Sequence, residues 1–182
     1  RGITVCNIPA YSTERVAHTA IMMILNLSSS MQIQQAMLAR GDRSNFTKCM
    51  QVSHVEVNGK VLGVVGAGTI GREVIKVAQA LGMKVLAYTR TPRADEDNLK
   101  YVSLEELLKQ SDYISLHCPL TPQTRHMINK ETIAMMKPTA YIINTGRGAL
   151  IDEPALIEAL KEGRIAGAGL DVQETEPPVQ DN

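Results

Sequence analysis

The sequence contains no tryptophan, one phenylalanine and no net charge at neutral pH. Because nineteen basic residues balance nineteen acidic ones, its charge favours neither nucleic acid nor an anionic membrane as a partner. Cys6, Cys49 and Cys118 are odd in number and lie far apart, so the spacing indicates neither a disulfide framework nor a metal site. The most apolar run, residues 16–27, is too short to span a bilayer. These absences favour a protein of the reducing cytoplasm.

Aliphatic residues supply most of the 44% apolar content, which suits a parallel sheet buried on both faces. A chain of 182 residues is long enough for one domain with a sizeable core and short for two. From Lys60 onward, apolar runs alternate with amphipathic segments, and we predict strands at 61–65, 84–88, 113–117, 141–144 and 166–172. The pattern predicts an α/β fold over residues 1–182, with a Rossmann-type, doubly wound parallel sheet.

The segment from Val61 to Arg72 is the centre of this prediction. Gly66, Gly68 and Gly71 follow the first strand in the G-x-G-x-x-G spacing of dinucleotide sites, and Thr69 and Ile70 open the next helix. The glycines allow a tight turn and close approach of a pyrophosphate, which the amide groups at the helix start would bind. An ordinary tight β–α turn has the same pattern, but the strand before it and the helix after it favour a dinucleotide site.

Polar residues follow the other strands at the edge where a doubly wound sheet binds its ligand. Taken alone, each of these residues fits an ordinary loop position, but their location at one edge of the sheet favours a binding site. The candidates for cofactor binding are Thr89, Arg90, Cys118, Pro119, Thr124, Thr145 and Asp171, and Arg147 and Glu176 are the candidates for catalysis.

Four strings together resemble the cofactor-binding domain of the D-isomer-specific 2-hydroxyacid dehydrogenases. They begin at Gly66 (GAGTIGR), His117 (HCPLTP), Ile143 (INTGRG) and Gly169 (GLDVQETEP). The resemblance implies a two-domain enzyme that moves a hydride between a nicotinamide and C2 of a small 2-oxo or 2-hydroxy acid. It also implies that Arg147 is the catalytic arginine, Glu176 the catalytic carboxylate, and Asp171 a neighbour of the nicotinamide amide.

The chemistry of these groups fits the implied roles. A guanidinium can hold a substrate carboxylate or polarise a carbonyl oxygen. In the family, a histidine exchanges the substrate proton, and a glutamate beside it raises its pKa. That histidine follows a proline downstream of the Glu-Pro pair, whereas this sequence ends at Asn182 with no such histidine. We therefore expect a cofactor-binding domain that lacks most of the substrate-binding domain and is inactive alone.

Two further expectations concern the cofactor and the assembly. Thr89 occupies the place of the acid that binds a ribose 2′-hydroxyl, and Arg90 can pair with a 2′-phosphate, so NADP is favoured over NAD. A single methionine-rich helix predicted over residues 14–40 is too long for the core of the sheet. Its length, together with the family resemblance, favours a homodimer.

Two alternatives to the dehydrogenase remain open at this point. The family also resembles corepressors that sense a dinucleotide without turnover as their main role. The neutral charge argues mildly against that alternative. A domain like that of an adenosylhomocysteine hydrolase is disfavoured by the Arg147-Gly148 and Glu176-Pro177 pairs.

Overall fold

The computed structural model describes residues 2–4, 6, 8, 10–46, 52–91 and 93–177. Six parallel strands form one sheet in the order β3-β2-β1-β4-β5-β6. This is the strand order of a Rossmann fold. The strands are β1 Val61–Val65, β2 Lys84–Tyr88, β3 Leu99–Tyr101, β4 Tyr113–Leu116, β5 Tyr141–Asn144 and β6 Gly167–Leu170. The predicted fold class is confirmed.

The register of the strands brings their carboxyl ends to one edge. Val65 at the end of β1 pairs with Tyr88 of β2 and Leu116 of β4. Leu116 pairs in turn with Asn144 of β5, and Asn144 with Leu170 of β6. Because the chain leaves β1 for β2 on one side and later returns to β4 on the other, a crevice opens at this edge between the two halves.

Helices cover both faces of the sheet, which therefore carries two aliphatic cores. On one face α1 (Thr13–Ser29) packs beside α3 (Thr69–Ala80). On the other face lie α4 (Leu104–Gln110), α5 (Lys130–Met135) and α6 (Glu153–Lys161). Asn129 and Asp152 cap α5 and α6, since their side chains accept backbone N–H groups of the first helical turn.

The prediction of one continuous helix over residues 14–40 is wrong. The helix stops at Ser29 and a second, α2, runs from Met31 to Ala39. Ser30 separates them with a left-handed φ of +50°, and its N–H bonds back to Asn26 and Leu27, as at many helix ends. The sheet-facing side of α1 is buried, whereas α2 buries only Met37. No helix among the described residues is long and apolar enough to cross a membrane.

The strand β3 is the one element of the sheet that the sequence pattern did not predict. Its three residues pair with β2, where Leu99 lies opposite Val85. Only Leu99 is buried, and Lys100 is exposed. A strand this short at a sheet edge has no periodic signal of its own, and pairing with β2 defines it.

Candidate functional site

Three glycines shape the turn between β1 and α3, each in a different way. Gly66 has a φ of +100°, and a Cβ there would lie 2.7 Å from the amide nitrogen of Cys118. A Cβ on Gly71 would overlap the carbonyl oxygen of Gly66, so glycine lets α3 begin directly against the turn. A Cβ on Gly68 would meet nothing within 4 Å. The space above Gly68 therefore suits a group that must come close to the backbone.

The start of α3 faces this turn with its amide groups uncapped by any side chain. Gly68 is the N-cap, and the first helical turn carries no acidic residue. The N–H groups of Thr69, Ile70 and Gly71 have no partner within the helix, and the helix dipole places partial positive charge there. This turn fits the phosphates of a dinucleotide.

The end of β2 is tied directly to the glycine turn. The amide of Gly66 donates to the carbonyl oxygen of Tyr88 at 2.9 Å. The next residue, Thr89, uses its hydroxyl to donate to the carbonyl of Thr91 at 2.6 Å. Arg90 is exposed, and its guanidinium makes no hydrogen bond or ion pair with another described residue. No carboxylate stands at the position that directly follows β2.

His117 and Cys118 continue β4 on the other side of the glycine turn. The amide of His117 donates to Val65 at 2.8 Å, and its Nε2 hydrogen-bonds the hydroxyl of buried Ser115 at 2.8 Å. Burial lowers the pKa of His117 to about 4, so its imidazole is neutral at pH 7. Burial also raises the pKa of the Cys118 thiol, which disfavours the reactive thiolate.

Pro119 and Thr124 enclose the loop that follows. The Thr124 hydroxyl donates to the carbonyl oxygen of Pro119 at 2.7 Å and accepts the amide of Thr121 at 2.8 Å. Because these bonds engage the hydroxyl inside the loop, Thr124 fixes the shape of this wall of the crevice. Pro119 itself is exposed.

Asn144 at the end of β5 organises the next loop, a role that was not among the predictions from sequence. Its fully buried side chain donates to the carbonyl of Arg147 at 2.9 Å and accepts the amide of Gly146 at 3.0 Å. Its own carbonyl accepts the amide of Asp171 at 3.0 Å, which joins β5 to the end of β6. An asparagine ending the apolar run YIIN was the available signal.

Two polar groups of this loop have different surroundings. The Thr145 hydroxyl is buried and has no hydrogen-bond partner among the described residues, as fits an atom that a bound cofactor would satisfy. The Arg147 side chain is exposed, and its Nη1 donates to the carbonyl of Gly146 at 2.8 Å. Its remaining donors face no described partner.

The loop after β6 carries the acidic candidates. Asp171 and Glu176 are both exposed. The Glu176 carboxylate accepts the amide of Gln173 at 3.2 Å. Between them, Glu174 lies 2.6 Å from Nη2 of Arg125 and 2.9 Å from Nε2 of His126. The hydrogen bond from His126, with the charges of His126 and Arg125, lowers the pKa of Glu174.

All the predicted site residues therefore lie at the carboxyl edge of the sheet or in the loops that leave it. Backbone hydrogen bonds link the ends of β1, β2 and β4, and Asn144 links the ends of β5 and β6. In the described ranges no hydrogen bond joins Arg147 to Glu176. The roles predicted for individual residues remain predictions.

The fold and this edge define a Rossmann-type dinucleotide-binding domain, and comparison with known proteins identifies its family. Residues 21–182 match the family described as "D-isomer specific 2-hydroxyacid dehydrogenase, NAD binding domain". The chain therefore belongs to the D-isomer-specific 2-hydroxyacid dehydrogenase family.

Named relatives agree with this assignment. The chain is 45% identical to a hydroxypyruvate reductase of Blautia hydrogenotrophica, a match over 100% of the chain and 58% of the relative. It is also 45% identical to a glyoxylate reductase of Thermococcus litoralis, over 97% of the chain and 55% of the relative. A D-lactate dehydrogenase of Aquifex aeolicus, solved with NAD and lactic acid, superposes with a TM-score of 0.87 at 44% identity. That match covers 96% of this chain and 52% of the Aquifex chain.

These coverages bear on the domain prediction. The chain spans only 55–58% of the length of the two relatives, and its match is to the NAD-binding part of the family. The reductases and dehydrogenase named here are enzymes, and none of them favours the corepressor alternative.

Proposed function

We propose that this chain is the dinucleotide-binding domain of a two-domain oxidoreductase, acting on a small D-2-hydroxy acid or the corresponding 2-oxo acid. The observation that carries the proposal is the crevice edge. There the open space above Gly68 and the uncapped start of α3 lie after β1, and the exposed Arg147 lies after β5 of the same parallel sheet. The names of the relatives supply the class of reaction and substrate.

The residues around the glycine turn would hold the cofactor. The amides of Thr69, Ile70 and Gly71 would bind its pyrophosphate, the buried Thr145 hydroxyl would gain a partner, and Asp171 would lie near the nicotinamide amide. The nicotinamide supplies the hydride for reduction or accepts it for oxidation.

Arg147 and Glu176 would act on the substrate. The Arg147 guanidinium has donors free of described partners, and it can hold the substrate carboxylate or polarise the C2 carbonyl oxygen. Glu176 would favour the charged form of a proton-exchanging histidine in the remainder of the enzyme. Neutral His117 is engaged with Ser115 and does not serve that purpose here.

Turnover by the full-length enzyme tests this proposal. Glyoxylate, hydroxypyruvate and pyruvate are each mixed with reduced NAD or NADP, and loss of the reduced nicotinamide is followed by absorbance. We expect turnover of at least one acid and a loss of about 10²–10³-fold in Arg147→Gln, as for removal of an oxyanion-binding donor. No turnover of any 2-oxo acid, or full activity of the variant, would contradict the assignment.

We further propose that NADP binds more tightly than NAD. Thr89 brings no negative charge against a 2′-phosphate, and the Arg90 guanidinium is exposed and able to pair with one. Thr89→Asp combined with Arg90→Ala should shift the preference toward NAD by about 1–3 kcal/mol, the range for a charge-assisted hydrogen bond. Titration calorimetry measures both constants, and a tighter constant for NAD in the parent would remove the assigned role of Arg90.

We also propose that the protein is a homodimer. The exposed side chains of Met22, Leu25, Met31 and Ile33 provide an apolar surface on α1 and α2. Burial of this surface against a second copy would remove it from water.

A further inference from the structure

Glu174 lies at the meeting point of three segments from different parts of the chain. Its carboxylate contacts the Arg125 guanidinium at 2.6 Å and His126 Nε2 at 2.9 Å, both from the loop before α5. Its amide donates to a carboxylate oxygen of Glu153, in the first turn of α6, at 3.1 Å. The Glu174 side chain is only 23% exposed, so water screens these contacts less than those of a fully exposed ion pair. We call these four residues the Glu174 cluster.

The backbone of Gln173 and Glu174 packs against the loop that carries Arg147. A Cβ placed on Gly148 would overlap the backbone of Gln173 and the amide nitrogen of Glu174, so the two backbones lie in direct contact. The amide of His126 donates to the carbonyl oxygen of Ala149 at 2.8 Å. The Arg147 loop therefore contacts the backbone of Gln173 and Glu174 at Gly148, and it is bonded at Ala149 to His126, which also holds the Glu174 carboxylate.

One further hydrogen bond connects this arrangement to Glu176. The Glu176 carboxylate accepts the amide of Gln173, which is the residue that lies against Gly148. A continuous path thus runs from the Arg147 loop through Gly148 and Gln173 to the carboxylate of Glu176. The Glu174 cluster anchors the middle of that path to the body of the domain.

We propose that Glu174 is a positioning residue, which, through Arg125 and His126, holds the Glu176 carboxylate in place relative to Arg147. This inference rests on the roles proposed above for Arg147 and Glu176. It assigns no contact with substrate or cofactor to Glu174. Because misplacement of a reacting group by about 1 Å can lower a rate by about 10²-fold, the anchor affects turnover more than binding.

The test compares variants of the full-length enzyme. Glu174→Ala removes the carboxylate, and His126→Asn removes the imidazole while keeping a residue that tolerates the φ of +50° at this position. Glu158→Gln is the matched control. It breaks a 2.8 Å ion pair with Lys130, which joins α6 to α5 away from the Arg147 loop. Each variant is assayed for kcat, KM for the 2-oxo acid, dinucleotide Kd and Tm.

We expect Glu174→Ala to lower kcat by about 10–100-fold, while the dinucleotide Kd stays within about twofold of the parent value. The KM for the acid should change less than kcat, because Arg147 is intact. Adding His126→Asn to Glu174→Ala should lower kcat little further, since both act through one cluster. The control should keep the parent's kcat.

A pH profile separates positioning from general stabilisation. Glu176→Gln is expected to shift the pH at which kcat/KM falls to half, and Glu174→Ala should shift it in the same direction. Unchanged kcat in Glu174→Ala, or a loss of kcat without that shift, would overturn the inference. So would an equal loss of kcat in Glu158→Gln.

Two additional variants distinguish failure of this inference from failure of the proposed function. If Arg147→Gln and Glu176→Gln strongly lower kcat and Glu174→Ala leaves it unchanged, the inference alone is wrong. If Arg147→Gln and Glu176→Gln keep the parent's kcat and pH profile, the proposed roles of those residues are wrong, and the inference falls with them.

Discussion

Gly68 is the N-cap of α3 and Gly71 lies three residues later in its first turn, and alanine at the two positions should have opposite effects. At Gly68 an added methyl group meets no atom within 4 Å, and φ is −78°, which alanine adopts readily. At Gly71 the methyl group would overlap the Gly66 carbonyl oxygen and lie 3.3 Å from Cγ1 of Val64. The methyl group at Gly68 would occupy the space proposed for the cofactor, whereas the methyl group at Gly71 would overlap atoms of the protein itself.

The sizes of the two effects follow from these surroundings. Overpacking against a backbone atom costs about 1–3 kcal/mol. The higher helix propensity of alanine offsets at most about 1 kcal/mol of this at Gly71. A net loss of about 1–2 kcal/mol would lower Tm by about 2–8 °C in a domain of this size. Gly68→Ala should cost about 1 kcal/mol or less, because alanine is a poorer N-cap than glycine but its methyl group meets no protein atom.

The loss of dinucleotide affinity should be larger for Gly68→Ala than for Gly71→Ala, the reverse of the order for stability. A methyl group at Gly68 keeps a pyrophosphate from the amides of α3, and we expect dinucleotide affinity to fall at least tenfold, or about 1.4 kcal/mol. Urea denaturation followed by circular dichroism gives the stabilities, and titration calorimetry with NAD and NADP gives the affinities. Parent-like affinity in Gly68→Ala would refute the proposed phosphate position, and parent-like stability in Gly71→Ala would refute the packing argument.

Three further predictions concern pH, assembly and the need for the rest of the enzyme. Because burial lowers the pKa of His117 from 6.5 to about 4, the unfolded chain takes up a proton that the folded chain does not. Stability should therefore fall by up to about 3 kcal/mol as the pH drops through this window. His117→Gln should weaken the pH dependence of the free energy of unfolding in this window, as measured by urea denaturation at a series of pH values. An unchanged pH dependence would contradict the assignment. Ile33 is 56% exposed on α2, and Ile33→Asp should convert the dimer to a monomer by light scattering at micromolar concentration; a monomeric parent would exclude the dimer. The 182 residues alone should bind dinucleotide but turn over 2-oxo acids at least about 10²-fold more slowly than the full-length enzyme, because no histidine follows Glu176 among them to exchange the substrate proton as proposed. Turnover within about tenfold of the full-length enzyme would show that the proposed histidine is not needed.

The elements that could be predicted from sequence are those whose signal is local. Buried strands such as β1 and β5 are short aliphatic runs, and the side chains of Asn129 and Asp152 are acceptors for the amides that follow them. The glycine turn was predictable because its spacing reflects backbone conformations and contacts that a Cβ would prevent.

The features that could not be predicted depend on contacts between distant segments. β3 exists through its pairing with β2, and a serine run gave only a weak sign that the first helix would break at Ser30. The role of Asn144 could not be predicted because it comes from bonds to the Arg147 loop and to Asp171. Glu174 was likewise indistinguishable in sequence from its acidic neighbour Glu176, since its partners lie 48 and 49 positions away.

Hydride transfer to C2 of a 2-oxo acid is the central claim, and isotope transfer measures it most directly. The full-length enzyme is supplied with reduced nicotinamide dinucleotide carrying deuterium at the transferable C4 position, together with pyruvate or hydroxypyruvate. The account predicts that the deuterium appears on C2 of the product, as seen by mass spectrometry and proton NMR, and that the product is the D isomer. Product without deuterium at C2, or the L isomer, would contradict it.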